Sequence, residues 1–415
     1  MDYPFAAAEH FAACGRVLDL RPYGKGNVND TFLVTAAGER EERFILQRLN
    51  PRVFPRPGLI LENLRIFTAH MERRLLEDPL PPGRTWRVPR VLATGGGRDH
   101  WLDPEGSCWR ALSFIDHAQS FDTIQSLSQA QEVGYALGLF HYLLSDLPGD
   151  ALADTLPGFH ITPAYLRHYD AVLSRGQKTP AATPPASPAA LTPAACSVLL
   201  SPLPPGGGEG QGEGGAEKPS GNKYKLGPPE VKYCLQFIEE RRTRAGILEE
   251  AKTRGKLALR PIHGDPKVDN FLLDAASGRA VSLVDLDTVK PGLVHYDLGD
   301  LLRSGCNPWG EEADQWEEVR FQPDLARAIF RGYLAMGRRF LTPSDHEYLF
   351  DAVWLMTFEL GLRFFTDFLE GNVYFKAGSR EHNLARALVQ FKLAGDIEAQ
   401  ERDLRSIIRD LRHQS

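Results

Sequence analysis

"LRPIHGDPKVDNFLLD", residues 259–274, crowds a histidine, three acids, a lysine and an asparagine between two apolar runs. Polar groups at this density are costly in an apolar frame unless they are paired or used. The stretch is therefore either a tightly satisfied turn or a reaction centre. Its middle, His263-Gly264-Asp265-Pro266-Lys267-Val268-Asp269-Asn270, has the spacing H-x-D-x-x-x-x-N. Beyond it, "VSLVDLDT" at 281–288 reads as an apolar strand ending in Asp285 and Asp287.

Each residue has a plain structural reading. Asp265 and Asp269 can cap a turn, Asn270 can satisfy backbone groups, and His263 can be a hydrogen-bonded core histidine. Turn capping does not require the second strand, however, and phosphoryl transfer does. There an Asp receives the proton of the attacking hydroxyl, while an Asn five residues on and a further Asp at a strand end hold Mg²⁺ against the phosphates. Mg²⁺ takes oxygen ligands and keeps waters, so an Asn and one or two Asp residues suffice. This reading makes Asp265 the candidate base, and Asn270 and Asp285 the candidate metal ligands. His263 is given an orienting role.

The surrounding chain sets the frame. At 415 residues it is too long for one ordinary core, which predicts two lobes or domains. Apolar content of 42% and charged content of 25% are those of a globular protein. A net charge of −6 with no long basic run gives no reason to expect a nucleic-acid partner. No stretch reaches about 18 uninterrupted apolar residues, so no membrane span is expected. The start, "MDYPFAAAEHFAACG", lacks a basic region followed by an apolar one, so no signal peptide is read. Five scattered cysteines without CxxC spacing suit free thiols in a reducing, cytoplasmic setting.

Residues 1–115 read as a small lobe. "RVLDLRPYGKGNVNDTFLVTAAG" and "EERFILQRLN" are strand-like and joined by turns. Residues 58–78 show helical spacing through Ile60, Leu64, Phe67 and Met71, and 87–115 return to strands broken at glycines. Residues 116–415 read as a larger, mostly helical lobe interrupted by short strands near 258–287. Helical patterns cover 126–147, 323–341, 344–369 and 380–411. Within it, 176–228 shifts to Pro/Ala/Ser and then Gly/Glu, a composition that cannot offset its chain entropy by burial, so a disordered insertion is expected.

H-G-D-x-x-x-x-N followed by the Asp285 strand resembles the aminoglycoside phosphotransferase and choline kinase family. "GNVNDTFLV", "FILQRLN", "HGDPKVDN", "VDLDTVKPG", "YDLGD" and "ELGLRFFTDFLEGNVYF" together resemble its N-acetylhexosamine 1-kinases. The resemblance implies a two-lobed α+β, protein-kinase-like fold, with a small antiparallel-sheet lobe before a larger helical one. It also implies ATP with Mg²⁺ as cofactors and a small-molecule sugar as substrate, phosphorylated on its anomeric hydroxyl. Asp265 would be the base, and Asn270 and Asp285 the metal ligands, with Asp287 at a second metal position or in the structure of the loop. Lys267 would face the phosphates. Gly24, Gly26 and Asn27 would form the phosphate-covering turn, and the backbone of Phe114 and Ile115 would hold adenine. Where relatives carry a phosphate-binding lysine on the third strand, this chain has Gln47 and Arg48. Alternation turns one of the two to the nucleotide, and Glu62 would pair with Arg48. Glu359, Arg363 and Tyr374 would form the sugar pocket, although Glu359, Arg363 and Asp367 also have the spacing of a surface charge ladder. Two rivals stay open: a kinase of choline, homoserine, methylthioribose or an aminoglycoside, and a nucleotide-binding pseudokinase.

Overall fold

The computed structural model describes residues 3–12, 16–24, 28–38, 41–177 and 227–413. Helix α1 (Tyr3–Phe11) precedes strands β1 (Val17–Pro22), β2 (Asp30–Ala36) and β3 (Glu42–Arg48), helix α2 (Pro57–Glu77), and strands β4 (Val91–Leu92), β5 (Trp101–Leu102) and β6 (Cys108–Ser113). These strands form one antiparallel sheet in the order β1-β2-β3-β6-β4, with β5 also on β6. Strict alternation gives the sheet two unlike faces. Val34, Ala36, Phe44, Leu46, Trp109 and Ala111 pack with Ala7, Ala8 and Phe11 of α1 into a small core. Thr31, Ile45, Gln47 and Arg110 take the opposite face, because Thr31 pairs with Gln47 and Gln47 with Arg110 in register.

The chain then crosses into strand β7 (Ala118–Gln119) and helices α3 (Leu127–Leu143) and α4 (Thr162–Gln177). Ser126 starts α3 by accepting the Gln129 amide, the capping role expected of a serine before an apolar stripe. Helices α5 (Pro228–Arg241) and α6 (Ile247–Thr253) follow, then β8 (Arg260–Ile262), β9 (Phe271–Asp274), β10 (Ala280–Leu283) and β11 (Lys290–Gly292). Helices α7 (Val294–Gly305), α8 (Pro323–Gly337), α9 (Pro343–Glu347), α10 (Leu349–Glu370), α11 (His382–Ala399) and α12 (Glu401–His413) complete the chain. Strand β9 lies between β10 and β7, and β8 pairs with β11. A large core runs through α3, α7, α8, α10 and α11, with α10 buried on nearly every side from Leu349 to Asp367.

Four sequence expectations meet the structure here. Residues 344–369 form two helices, because the Thr342–Asp345 capping box starts a separate short α9. Residues 380–411 break at Gln400 into α11 and α12. Of the expected 176–228 insertion, 176–177 end α4 and Pro228 opens α5, while 178–226 lie outside the described residues. Helix α2, expected within the small lobe, buries Ile60, Leu64, Phe67 and Met71 in the large core.

Candidate active site

The opening stretch forms a loop held from four sides. Strand β8 ends at Ile262, and the backbone amides of His263 and Gly264 then donate to Asp297 on α7, at 2.6 and 2.8 Å. Asp297 also receives His141 Nε2 at 2.8 Å. The buried His263 ring donates through Nε2 to the Val284 carbonyl at 2.9 Å and accepts the Asp265 amide on Nδ1 at 3.2 Å. Both ring nitrogens are thus used in the neutral form, and burial lowers the pKa of His263. Its place is that of a brace between the Asp265 loop and the strand leading to Asp285. Gly264 sits at φ +88°, where a Cβ would come within 2.7 Å of the Thr288 carbonyl oxygen, so this turn admits only glycine.

A 3₁₀ turn at Val268–Asn270 folds Asn270 back beneath the loop. Its Nδ2 donates to the Asp265 carbonyl at 2.7 Å, which leaves Oδ1 as an available ligand. The Val284 amide donates to the Asn270 carbonyl at 2.9 Å, so Asp285, the next residue, lies beside it. Asp285 takes the left-handed conformation at φ +62°, an uncommon state for a non-glycine residue at the turn out of β10. Asp265, Asn270 and Asp285 therefore meet at one end of the β8–β10 region.

The electrostatics of this meeting point are those of an anion-rich floor. The Asp265 carboxyl is pushed up by burial, against the pull of Lys267, whose Nζ lies 3.4 Å from Asp265 Oδ2. Asp265 in turn holds the Lys267 ammonium firmly protonated. The protein walls, together with the charges of Asp287 and Asp265, raise the Asp285 carboxyl to about 7. The Asp285 side chain itself is exposed. Among the described residues no group of three or more His, Cys, Asp or Glu side chains is arranged to hold a metal ion. The donor set instead pairs an amide oxygen with a carboxylate beside a second acid, and these hard oxygen ligands suit Mg²⁺.

On the sheet side, alternation decides between the two third-strand candidates. Gln47 faces the cleft; Arg48 lies on the other face, over the Trp109 ring at 5.8 Å, and pairs with Asp30, Nε to Oδ2 at 2.8 Å. The expected Arg48–Glu62 pair is not formed, because cross-strand Asp30 is nearer to hand and Glu62 is exposed on α2. Asp287 is not free to serve a second metal position either. It forms a buried ion pair with Arg110 and receives Asn29 Nδ2 at 2.6 Å. Gly24 has φ +78° with open space around it, while Gly26 and Asn27 lie outside the described residues. Phe114 and Ile115 follow β6 directly where the chain crosses between lobes, and Tyr23 meets the Phe114 ring edge-on at 6.0 Å.

The three α10 residues do not form the charge ladder that their spacing permits. Glu359 is 1% exposed and both its oxygens are held, by His160 Nδ1 at 2.9 Å and Thr162 Oγ1 at 2.6 Å. It stands behind the pocket, correcting its expected place in it, and His160 Nε2 passes its hold on to the Gly264 carbonyl at 2.7 Å. Asp367 receives the backbone amides of Val373, Tyr374 and Phe375 at 2.9, 2.8 and 3.0 Å, and so shapes the loop that carries Tyr374. Arg363 lies among the rings of Phe159, Tyr165, Tyr374 and Phe375, at 5.1 to 5.9 Å. Burial opposes its charge, but Tyr165, Tyr374, Glu359 and Asp265 hold it protonated.

Arg110, Asn29, His160 and Thr162 were not singled out from sequence. Arg110 had a visible signal, a charged residue inside the apolar strand "CWRALS".

Residues 218–340, which include the whole Asp265–Asp285 region, match the family model described as APH, phosphotransferase enzyme family. Solved structures agree in architecture. An aminoglycoside phosphotransferase from Alicyclobacillus acidocaldarius is similar at TM-score 0.53 and 14% identity, over 98% of this chain and 96% of that one. A choline kinase from Cryptosporidium parvum is similar at 0.52 and 13%, over 94% and 91%. A microcompartment-associated aminopropanol kinase is similar at 0.50 and 17%, over 98% of each chain. The fold is protein-kinase-like. In this kinase-like frame the sheet with α1 is the small N-terminal lobe, and the remaining helices with β7–β11 form the large C-terminal lobe. No helix among the described residues is long and apolar enough to cross a membrane.

Proposed function

We propose that this protein transfers the γ-phosphoryl group of Mg-ATP to a hydroxyl of a small molecule, and that the acceptor is the anomeric hydroxyl of an N-acetylhexosamine. The observation that carries the transfer reading is the convergence of Asp265, Asn270 and Asp285 through the His263–Val284 and Asn270–Val284 hydrogen bonds. Asp265 aligns the hydroxyl and accepts its proton as the bond to phosphorus forms; its raised pKa improves it as a proton acceptor. Lys267 stands beside Asp265 as a fixed positive charge. A Mg²⁺ ion held by Asn270 and Asp285 would supply neutralisation of the phosphate charge. Most of the acceleration then comes from positioning and preorganised charge.

The acceptor side favours a neutral, oxygen-rich molecule. A cage of aromatic rings is a common receptor for a quaternary ammonium group. Here the rings surround the guanidinium of Arg363, and a positive charge already fills that place. A choline-like or polyamine acceptor would meet like charge, whereas carbonyl and hydroxyl oxygens of an acetamido sugar would meet N–H donors. The solved relatives described as choline and aminopropanol kinases thus share the frame without fixing the acceptor.

The test is ADP release with Mg-ATP over N-acetylhexosamines, free hexoses, choline, homoserine and an aminoglycoside, with phosphorus NMR locating the new phosphate. A 1-phosphate on an N-acetylhexosamine is expected. Asp265→Asn should lose roughly 10²- to 10⁴-fold in kcat with an unchanged circular dichroism spectrum. Turnover on choline or the aminoglycoside alone would discard the sugar, and full activity of Asp265→Asn would discard the mechanism.

A further inference from the structure

The third strand of this kinase-like sheet lacks the lysine that contacts nucleotide phosphates in protein kinases, and the structure indicates where its charge has gone. Gln47 faces the cleft from β3, and directly opposite it in register on β6 stands Arg110. Cross-strand partners have their Cβ atoms about 4.5–5.5 Å apart on one face, so Arg110 lies one strand away from the position of the lysine. Gln47 Oε1 accepts from both Nε and Nη2 of Arg110, at 3.1 and 2.7 Å, while Gln47 Nε2 is anchored on Thr31 Oγ1 at 3.1 Å. A lysine at 47 would face the guanidinium as a like charge; a glutamine orients it. The two residues form one device.

Arg110 is 1% exposed, and burial of a full charge is costly unless all its partners are present. Nη2 meets Asp287, but both N–H groups of Nη1 lack a partner in the buried interior. The guanidinium thus keeps donor capacity that neither Gln47 nor Asp287 uses. Asp287 is two residues beyond Asp285, and the Arg110 charge is felt at the Asp285 carboxyl. The guanidinium therefore ends at the turn that carries Asp285.

We propose that Arg110 is the phosphate-binding cation of the nucleotide site, moved from the third strand to its neighbour, with Nη1 reserved for a phosphate oxygen. This rests on the nucleotide reading given above. Gln47 and Asp287 fix the guanidinium plane, and the cation so placed distinguishes nucleotide from nucleoside.

The test is calorimetric binding of Mg-ADP and of adenosine to the full chain, with no acceptor present. The variants are Arg110→Met, the charge-balanced Arg110→Met/Asp287→Asn, and Arg110→Met/Gln47→Lys. Thermal melts select the variants that stay folded. Wild type is expected to bind Mg-ADP more tightly than adenosine. The charge-balanced double variant should lose roughly 10- to 100-fold for Mg-ADP, the scale of a lost charge-assisted hydrogen bond, with adenosine unchanged. Gln47→Lys should restore most of that loss by returning a cation to β3. If wild type shows no preference for Mg-ADP, the nucleotide reading itself fails. If wild type shows it and the charge-balanced variant keeps it, Arg110 is only the counter-ion of Asp287 and the proposal falls. Equal loss for Mg-ADP and adenosine overturns it as well, since the residue would then only hold the sheet.

Discussion

His160 faces an acceptor on each side: the Glu359 carboxylate at Nδ1 and the Gly264 carbonyl at Nε2. Both ring nitrogens must therefore donate, and the ring is an imidazolium. Burial works against that charge, but Glu359 outweighs it and the pKa is raised. The sign follows directly. The contribution is fully present below the ordinary histidine value and is lost as pH rises through the folded one. Deprotonation would release one of the holds on the Asp265 loop, so kcat should fall at alkaline pH while the fold persists. Glu359→Gln removes the supporting charge and should move that alkaline limb to lower pH. A kcat–pH profile of the two proteins checks it; an unmoved limb would mean that His160 only fills space. At this scale the motif residues were legible because H-G-D-x-x-x-x-N is local. His160 and Thr162 were not, because their meaning lies in Glu359, nearly 200 positions away in the chain.

Helices α3 and α8 cross where side chains are missing. A Cβ at Gly134 or Gly138 would come 2.1 or 2.5 Å from the carbonyl oxygen of Ile329 or Tyr333, and one at Gly332 would come 1.9 Å from that of Gln131. The crossing carries His141 and Tyr333, whose 3.0 Å hydrogen bond supports Asp297 and through it the Asp265 loop. In an exposed helix a Gly→Ala change stabilises by up to about 1 kcal/mol. At Gly332 the sign should reverse, with a loss of roughly 1–3 kcal/mol from overpacking, read from the urea midpoint. A stabilised Gly332→Ala would mean that the helices stand further apart than described. Periodicity revealed α2, α3 and α8 because one apolar stripe suffices for that reading. It did not reveal the break at Gln400, where Nε2 reaches across to the Phe321 carbonyl at 3.1 Å, because only tertiary contact marks that position. The strands were legible as short apolar runs, but their order and which face of β3 meets the cleft required the pairing with β6.

The described residues form two apolar cores of unequal size, the small one between the sheet and α1 and the large one through the helical lobe. Asp287 joins the sheet to the large lobe: Arg110 from β6 and Asn29 from the turn before β2 both reach it from the small lobe. Asn29 in turn accepts the Asn50 amide at 3.0 Å, so the clasp also holds the chain where it leaves β3. The spacing of "VDLDT" suggested a second metal ligand, and nothing local shows that the second acid is spoken for by residues far back in the chain. Asp287→Ala would strand the Arg110 charge in the interior, and breaking a buried pair this way costs about 3–5 kcal/mol. A core as small as that under the sheet has little reserve against such a loss. The expected outcome is a calorimetric trace that splits, with a new low-temperature transition ahead of the main one. Hydrogen exchange should speed up over 30–48 and 108–113 while the amides of α3, α8 and α10 keep their protection. A single transition shifted as a whole, with exchange rising evenly in both lobes, would show instead that sheet and helices unfold as one unit and that Asp287 is one support among many.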